Sequence, residues 1–323
     1  MSTTKLPALD ALFRGILNVR ANRELILVQL ASSALLAASI AVPILLLLSR
    51  VGVPLSVFTS KDPEAIRVAF ESMQFNMTMI ASTFGLGLLL FLVIGTVAFV
   101  AFCWFQAGTL AVLLSGDAQA PAADKARSEV FRTFSWSAYV GWASRYGWRI
   151  FWVNNLFMIL LTIGLGLFVL PFAIGARFAE GSGTMVACAI GCGMAIPLGF
   201  IALVVVLAMI VAQVSAVDEN ATVRGATRRA FTITGRRLGG LLLLYLLLIV
   251  ASIIVSVLFG GAGLVVNLVL AKWAMARLAV AAALWFVQFV LSTSLNLTLI
   301  AAIVALVRPE LRALPAAATQ PAA

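Results

Sequence analysis

The sequence predicts an all-α protein, a polytopic integral membrane helical bundle of about six transmembrane helices with interfacial amphipathic helices. Of its 323 residues, 63% are hydrophobic and only 11% are charged, whereas soluble proteins carry about 25% charged residues. The apolar residues also form runs that can cross a hydrocarbon core of about 30 Å at about 1.5 Å per residue. The polar stretches between these runs are too short to bury a core of their own.

The apolar runs divide the chain into three parts. Residues 1–24 form an amphipathic N-terminal segment, residues 25–307 a membrane domain, and residues 308–323 a disordered tail rich in Ala and Pro. The predicted spans are residues 25–49, 79–103, 150–175, 184–217, 238–259 and 279–307. The glycines of 260–263 are expected to end the fifth helix, and a re-entrant or interfacial piece is expected to follow up to about Arg277.

The basic residues predict how the chain is threaded. If the N-terminus is cytoplasmic, 16 of the 22 Lys and Arg residues lie in the cytoplasmic segments. The positive-inside rule therefore predicts a multi-pass protein of the bacterial inner membrane with both termini in the cytoplasm. The same rule accounts for the net charge of +10, so no nucleic acid is expected as a partner. An excess of 18 Arg over 4 Lys is consistent with a bacterium of high GC content.

The N-terminal segment divides into two faces when it is placed on a helix. Its apolar face is formed by Leu9, Leu12, Phe13 and Ile16. Its polar face is formed by Asp10, Arg14 and Asn18. This pattern is typical of an amphipathic helix that lies on the membrane surface. A cleaved signal peptide is disfavoured because the apolar run that follows is too long for one.

The most basic stretch of the chain is residues 218–237, directly before the fifth span. Its arginines are Arg224, Arg228, Arg229, Arg236 and Arg237. On a helix, one face would carry Val223, Ala226, Ala230 and Ile233. We expect an interfacial helix whose apolar side enters the acyl boundary and whose guanidinium groups contact anionic lipid headgroups. The alternative is a docking site for a protein partner at the cytoplasmic linkers.

Amides and hydroxyls are the polar groups within the predicted spans. Gln288, Ser292 and Asn296 follow at i, i+4 and i+8, and therefore form one polar face on the sixth span. Other amides lie near the predicted cytoplasmic ends of the first, third and fourth spans, namely Gln29, Asn154, Asn155 and Gln213. These groups are interpreted as interhelical hydrogen bonds, and the alternative for the sixth span is a lining for a neutral or zwitterionic solute.

The sequence contains little catalytic chemistry. Histidine is absent, which excludes a Ser–His pair or a His-ligated metal. No charged residue lies within the predicted spans, although proton-coupled carriers and intramembrane hydrolases usually need such groups. Cys188 and Cys192 share a helix face, but two thiols without a third ligand do not define a metal site. We therefore expect no catalytic residue, no metal and no cofactor.

The basic stretch, DENATVRGATRRAFTITGRR, resembles one found in a bacterial family of membrane domains. That family precedes the catalytic domain of some glycerophosphoryl diester phosphodiesterases and includes uncharacterised six-span relatives. The positions that carry the resemblance are Glu219, Ala226, Arg228, Arg229, Phe231, Thr234 and Gly235. Ala230 replaces the usual serine, Phe231 replaces a tryptophan, and Gly235 and Arg236 stand in inverted order. Since only a short tail follows the sixth span, the resemblance implies no hydrolase activity.

Two functions follow as expectations. The first is a membrane protein without recognisable catalytic chemistry, a lipid-interacting scaffold or accessory subunit of the bacterial envelope. The absence of catalytic groups and the resemblance favour this one. The alternative is a permease for a small neutral or amphipathic solute, which the polar face of the sixth span favours.

Overall fold

The computed structural model describes residues 6–50, 67, 77–120, 127–177 and 183–313. The secondary structure of these residues is helical, with a single 3-10 turn at Ser128–Phe131. The seven α-helices are α1 (Ala8–Ala21), α2 (Glu24–Arg50), α3 (Met77–Gln119), α4 (Trp136–Arg177), α5 (Gly183–Asp218), α6 (Val223–Val269) and α7 (Ala274–Ala313). Helices α2 to α7 are long and apolar enough to cross a membrane. The predicted class, an all-α multi-pass membrane protein, is therefore confirmed.

The chain forms two compact units. The smaller unit, Val28–Phe105, holds most of α2 and the first part of α3. Within it the two helices approach closely, since a Cβ added at Gly87 would lie 2.2 Å from the Leu47 side chain. The larger unit, Met1–Leu27 with Gln106–Ala323, holds the other helices. There α4 packs on α5, α5 on α6, α6 on α7, and α1 on α7.

The predicted end of the fifth span is wrong. Helix α6 continues through Gly260–Gly263 to Val269, and residues 270–273 form a short turn into α7. A glycine inside a helix costs about 1 kcal/mol relative to alanine. Backbone groups left unpaired in hydrocarbon cost several kcal/mol each, so the helix is retained. The expected re-entrant piece up to Arg277 is replaced by this turn and the first residues of α7.

The predicted tail is wrong at its beginning. Helix α7 runs past Pro309 to Ala313, so residues 308–313 are helical rather than disordered. The reason is burial, because Arg308 and Leu311 expose only 6% and 0% of their surface. The rest of the predicted tail, residues 314–323, lies outside the described residues.

Contacts between charged side chains bring several helix ends together. Arg14 of α1 pairs with Asp117 near the end of α3, and Arg308 near the end of α7 pairs with both Asp117 and Asp218. Asp218 is the last residue of α5. We call this region the basic end of the bundle. It collects the segments that the charge rule assigns to the cytoplasm.

The threading can be tested with topology reporters. A reporter fused after Ala323 and a second inserted near Ala122 should both report a cytoplasmic location, because the flanking segments carry the excess of basic residues. A reporter inserted near Ser182, between two spans with few charges, should report an external location. A cytoplasmic signal at Ser182 would contradict the six-span topology.

Candidate functional site at the basic end of the bundle

Four charged side chains form a buried cluster at the basic end. Arg14 Nη2 lies 2.9 Å from Asp117 Oδ1, and Arg308 Nη1 lies 3.3 Å from Asp117 Oδ2. Arg308 Nε lies 3.5 Å from Asp218 Oδ1, an ion pair without hydrogen-bond geometry. All four side chains are at most 15% exposed. The charge cluster, as we name these four residues, is neutral as a set and joins α1, α3, α5 and α7.

Helix α1 docks on the bundle through its polar side. Asn18 donates its amide to the carbonyl of Leu113 at 2.8 Å, and Asn22 donates to the carbonyl of Phe131 at 2.8 Å. Asn22 Oδ1 also accepts from the backbone amides of Thr133 and Phe134, at 3.0 Å each. Both asparagines are almost completely buried. Asn18 thus binds α3, whereas Asn22 satisfies backbone groups at the start of the segment between the 3-10 turn and α4, as buried peptide groups require.

The apolar side of α1 is left uncovered by the chain. Leu9, Phe13 and Ile16 are 54%, 64% and 44% exposed. The two predicted faces of the N-terminal helix therefore exist, and the one that includes Arg14 and Asn18 packs against protein. An exposed apolar stripe with Arg20 next to it along the helix is typical of a helix at a membrane interface.

The five predicted headgroup arginines fall into two groups. Arg229 is paired with Glu219, and Arg237 Nη2 lies 2.6 Å from Glu310 Oε1. The side chains of Arg229 and Arg237 are only 12% and 11% exposed. The other three are exposed, and none of them forms an ion pair within the described part of the chain. These three, which we call the free arginines, are Arg224, Arg228 and Arg236.

The expected position of the apolar side of this stretch is wrong. Ala226, Ala230 and Ile233 are 0% exposed, so they pack against protein and do not enter the acyl boundary. The predicted short helix itself exists as the first part of α6, which begins behind the N-cap Thr222. A kink at Arg237, where φ is −117° and ψ is 15°, separates this part from the membrane-spanning part.

The region where α6 begins contacts α4 at two places. Before the helix begins, Asn220 adopts a positive φ of 54° and accepts a hydrogen bond from Arg149 of α4. Two turns further along α4, Phe157 stacks on Phe231, with ring centroids 5.8 Å apart and an interplanar angle of 24°. Asparagine tolerates this left-handed conformation better than most residues, which allows the tight connection from α5 to α6.

Three amides form a closed ring between α3, α4 and α5. Gln106 Nε2 donates to Gln213 Oε1 at 2.9 Å, Asn154 Nδ2 donates to Gln106 Oε1 at 3.2 Å, and Gln213 Nε2 donates to Asn154 Oδ1. Each side chain therefore donates once and accepts once within the amide ring. The predicted interhelical hydrogen bonding of Asn154 and Gln213 is confirmed, and Gln106 is the partner that the sequence did not identify. For Asn155 the prediction is wrong, because its amide donates to the Phe151 carbonyl of the same helix at 2.9 Å.

The predicted polar face of the sixth span lies in α7. Gln288 and Ser292 are partly buried, and Asn296 is exposed. The neighbouring hydroxyls of Ser294 and Thr298 donate to backbone carbonyls one turn earlier in the same helix. The three residues thus lie on one helix, as their spacing predicts. The amide ring described above does not include them and lies between α3, α4 and α5.

Aromatic side chains surround the first membrane turns of α4. Trp148 and Trp152 are each 54% exposed, and Phe151 packs against both rings, stacked on the first and edge-on to the second. Arg145 lies over the Tyr146 ring, with the guanidinium carbon 5.3 Å from the centroid. Exposed tryptophans beside a basic helix start are typical of the membrane–water interface.

The arrangement offers ion pairing and apolar contact. Among the described residues, no group of three His, Cys, Asp or Glu side chains could hold a metal ion. The side chains of Cys188 and Cys192 lie outside the described residues. No protein-family model, no curated protein and no solved structure matches the chain.

Sequence reasoning missed three parts of this site, namely Asp117, Asn22 and Arg308. Asp117 and Arg308 lie at the boundary between an apolar run and a polar linker, where a charged residue looks like an ordinary end of a span. A usable signal was the position of Asp117, an acidic residue in a predicted cytoplasmic linker that is mostly basic. Such a residue needs a cation near it when it is buried.

Proposed function

We propose that this protein is a non-enzymatic, lipid-interacting scaffold or accessory subunit of the bacterial envelope. It resides in the inner membrane with its basic end in the cytoplasm, where anionic headgroups are its ligands. The observation that carries the proposal is the division of the five linker arginines. Arg229 and Arg237 are neutralised by carboxylates and hold the fold, whereas the free arginines lie at the surface without an ion pair to any described residue.

The surroundings of the free arginines support a lipid surface as the ligand. Exposed apolar residues of α1 and exposed tryptophans of α4 belong to the same end of the bundle. Guanidinium groups beside such side chains match an interface in which phosphates lie directly above acyl chains. A protein partner at the cytoplasmic linkers remains the alternative ligand, and the salt and lipid dependence below distinguishes the two.

The permease alternative depends on the polar face of α7. It requires Gln288, Ser292 and Asn296 to line a path for a solute, yet Asn296 is exposed. The resemblance to membrane domains of phosphodiesterases agrees with a scaffold, and it stays a prediction. We therefore retain the scaffold as the proposed function.

Neutralising the free arginines should weaken the retention of anionic lipid. The variant Arg224→Gln/Arg228→Gln/Arg236→Gln is expected to retain less phosphatidylglycerol relative to phosphatidylcholine after purification in mild detergent. Each arginine near an anionic surface contributes about 1 kcal/mol. Higher salt should lower the retention by the wild type in the same direction, since screening acts within about 8–10 Å at these ionic strengths. Lipid mass spectrometry measures both effects.

The control variant removes charge from the opposite end of the bundle. Lys272→Gln/Arg277→Gln alters the region of the turn between α6 and α7 and should leave the lipid ratio unchanged. A lipid ratio that is indifferent to both the triple substitution and salt would contradict the proposal, and it would favour a protein partner at the linker.

A further inference from the structure

An exposed stripe runs along the first part of α6. Arg224, Arg228 and Phe231 stand at i, i+4 and i+7 and therefore lie on one side of the helix. All three are exposed, Phe231 by 45%, while its ring is stacked on the buried Phe157 of α4. Two guanidinium groups that form no ion pair with the described residues are thus followed, one turn on, by an aromatic ring that contacts α4.

An apolar groove lies between α4 and α5 in the same larger unit. Its volume is about 390 Å³, and its lining consists of apolar residues from the two helices. Its lining includes Gly164 of α4 and Gly199 of α5, and a Cβ added at either position would meet no atom within 4 Å. Leucines of both helices form the sides, among them Leu161, Leu165 and Leu198.

The stripe and the groove are continuous along α4. Phe157, Leu161 and Gly164 follow at i, i+4 and i+7 and therefore lie on one side of α4. Phe157 contacts Phe231, and on the next two turns Leu161 and Gly164 line the groove. Leu161 lies twelve residues beyond Arg149, or about 18 Å at about 1.5 Å per residue. The groove is therefore at acyl-chain depth, with the exposed arginines towards the basic end.

We infer that the exposed stripe and the groove form one binding site for an anionic phospholipid. The phosphate pairs with Arg224 and Arg228, and an acyl chain passes Phe231 and occupies the groove beside Gly164 and Gly199. This inference rests on the proposed function and names a defined lipid site for it. The charge of the two guanidinium groups selects an anionic head.

The lining of the groove favours an acyl chain as the second half of the ligand. Sites for solutes carry a few placed polar groups that fix the orientation of the ligand, and this groove is lined by apolar residues alone. An acyl chain needs no such group, because dispersion contacts with leucine side chains suffice. A phospholipid is therefore the ligand whose two halves match the two halves of the site.

Photo-cross-linking of a defined lipid tests the inference. The full chain is reconstituted with phosphatidylglycerol that carries a diazirine in mid-chain, or with phosphatidylcholine that carries the same chain. We expect the phosphatidylglycerol probe to label groove residues of α4 and α5 preferentially, as mapped by peptide mass spectrometry. Arg224→Gln/Arg228→Gln should reduce this preference about fivefold for each guanidinium removed. Arg312→Gln, which changes an exposed arginine of α7 outside the stripe and outside the basic stretch, is the matched control.

Filling the groove provides a second, independent variant. Gly164→Leu places a side chain in open space, so the fold should be kept, with unchanged helix content and thermal stability, while groove labelling is lost. Gly166→Leu is the matched control, because Gly166 also has open space around it. It follows Gly164 by two residues and therefore lies on the opposite side of α4, away from the groove. It should leave labelling intact.

The outcomes separate this inference from the proposed function. Groove labelling that survives Gly164→Leu, or that is equal for both lipids, would overturn the lipid site even if total retention of anionic lipid still depends on the arginines. Cross-links between two protein copies at the groove would also overturn it, since a second chain would then occupy the groove. Loss of arginine dependence in total retention would instead refute the proposed function itself.

Discussion

Replacing Arg308 with leucine is expected to destabilise the protein by about 3–5 kcal/mol, since removal of one partner leaves buried charges uncompensated. The Arg308 side chain is 8% exposed and faces both Asp117 and Asp218. Asp117 keeps its second cation, Arg14, whereas the only ion pair of Asp218 within the described residues is lost. Thermal and denaturant unfolding in mild detergent measure the loss.

Two further variants make this prediction specific. Arg312→Leu alters an exposed arginine of the same helix and should stay within about 0.5 kcal/mol of the wild type. Asp218→Asn combined with Arg308→Leu should recover part of the loss, because the uncompensated carboxylate is then neutral. If Arg308→Leu unfolds like the wild type, the charge cluster contributes nothing to stability.

Replacing Gly15 with alanine is expected to detach α1 from the bundle. A Cβ at this position would lie 2.8 Å from the Ala302 nitrogen and 2.8 Å from the Thr298 carbonyl oxygen, both backbone atoms of α7. Backbone atoms cannot move aside as a side-chain tip can, and overpacking of this kind costs about 1–3 kcal/mol. The contacts of Asn18 and Asn22 are then strained as well. Trypsin cleavage after Arg20 and Arg23 should become faster.

Gly235→Ala is the matched control for this substitution. Gly235 is also helical, but a Cβ there would meet no atom within 4 Å. Helix propensity alone favours alanine by up to about 1 kcal/mol at either glycine, so the two substitutions should have opposite signs. Equal stabilisation by both would show that α1 does not pack on α7 as closely as the structure indicates.

The second prediction concerns how the N-terminal helix is held. Three residues of α1 face the bundle. Arg14 pairs with Asp117, Asn18 donates to the Leu113 carbonyl, and Gly15 lies close to the backbone of α7. A helix held in this way keeps its apolar stripe directed outwards. We expect the docked α1 to support the lipid-facing role proposed for the basic end.

Local sequence predicted the spans because crossing a membrane depends on the length of one apolar run. It failed at Gly260–Gly263 because the cost of glycine in a helix is small beside the cost of unpaired backbone in hydrocarbon. It predicted that Asn154 and Gln213 bond between helices, since a buried amide needs a partner. It could not identify Gln106, because that choice depends on how three helices pack.

The sequence by itself determined that this is a six-span helical membrane protein with its basic linkers at one end, and that its N-terminal helix has two faces. Apolar length and amphipathic period are properties of neighbouring residues, so no tertiary contact is needed to recognise them. Only the tertiary structure decided which face of α1 is buried and which arginines are free. Arg229 and Arg228 are adjacent in sequence, yet among the residues that the structure describes only Arg229 meets a carboxylate. The electrostatic state of a side chain depends on the groups that packing brings beside it.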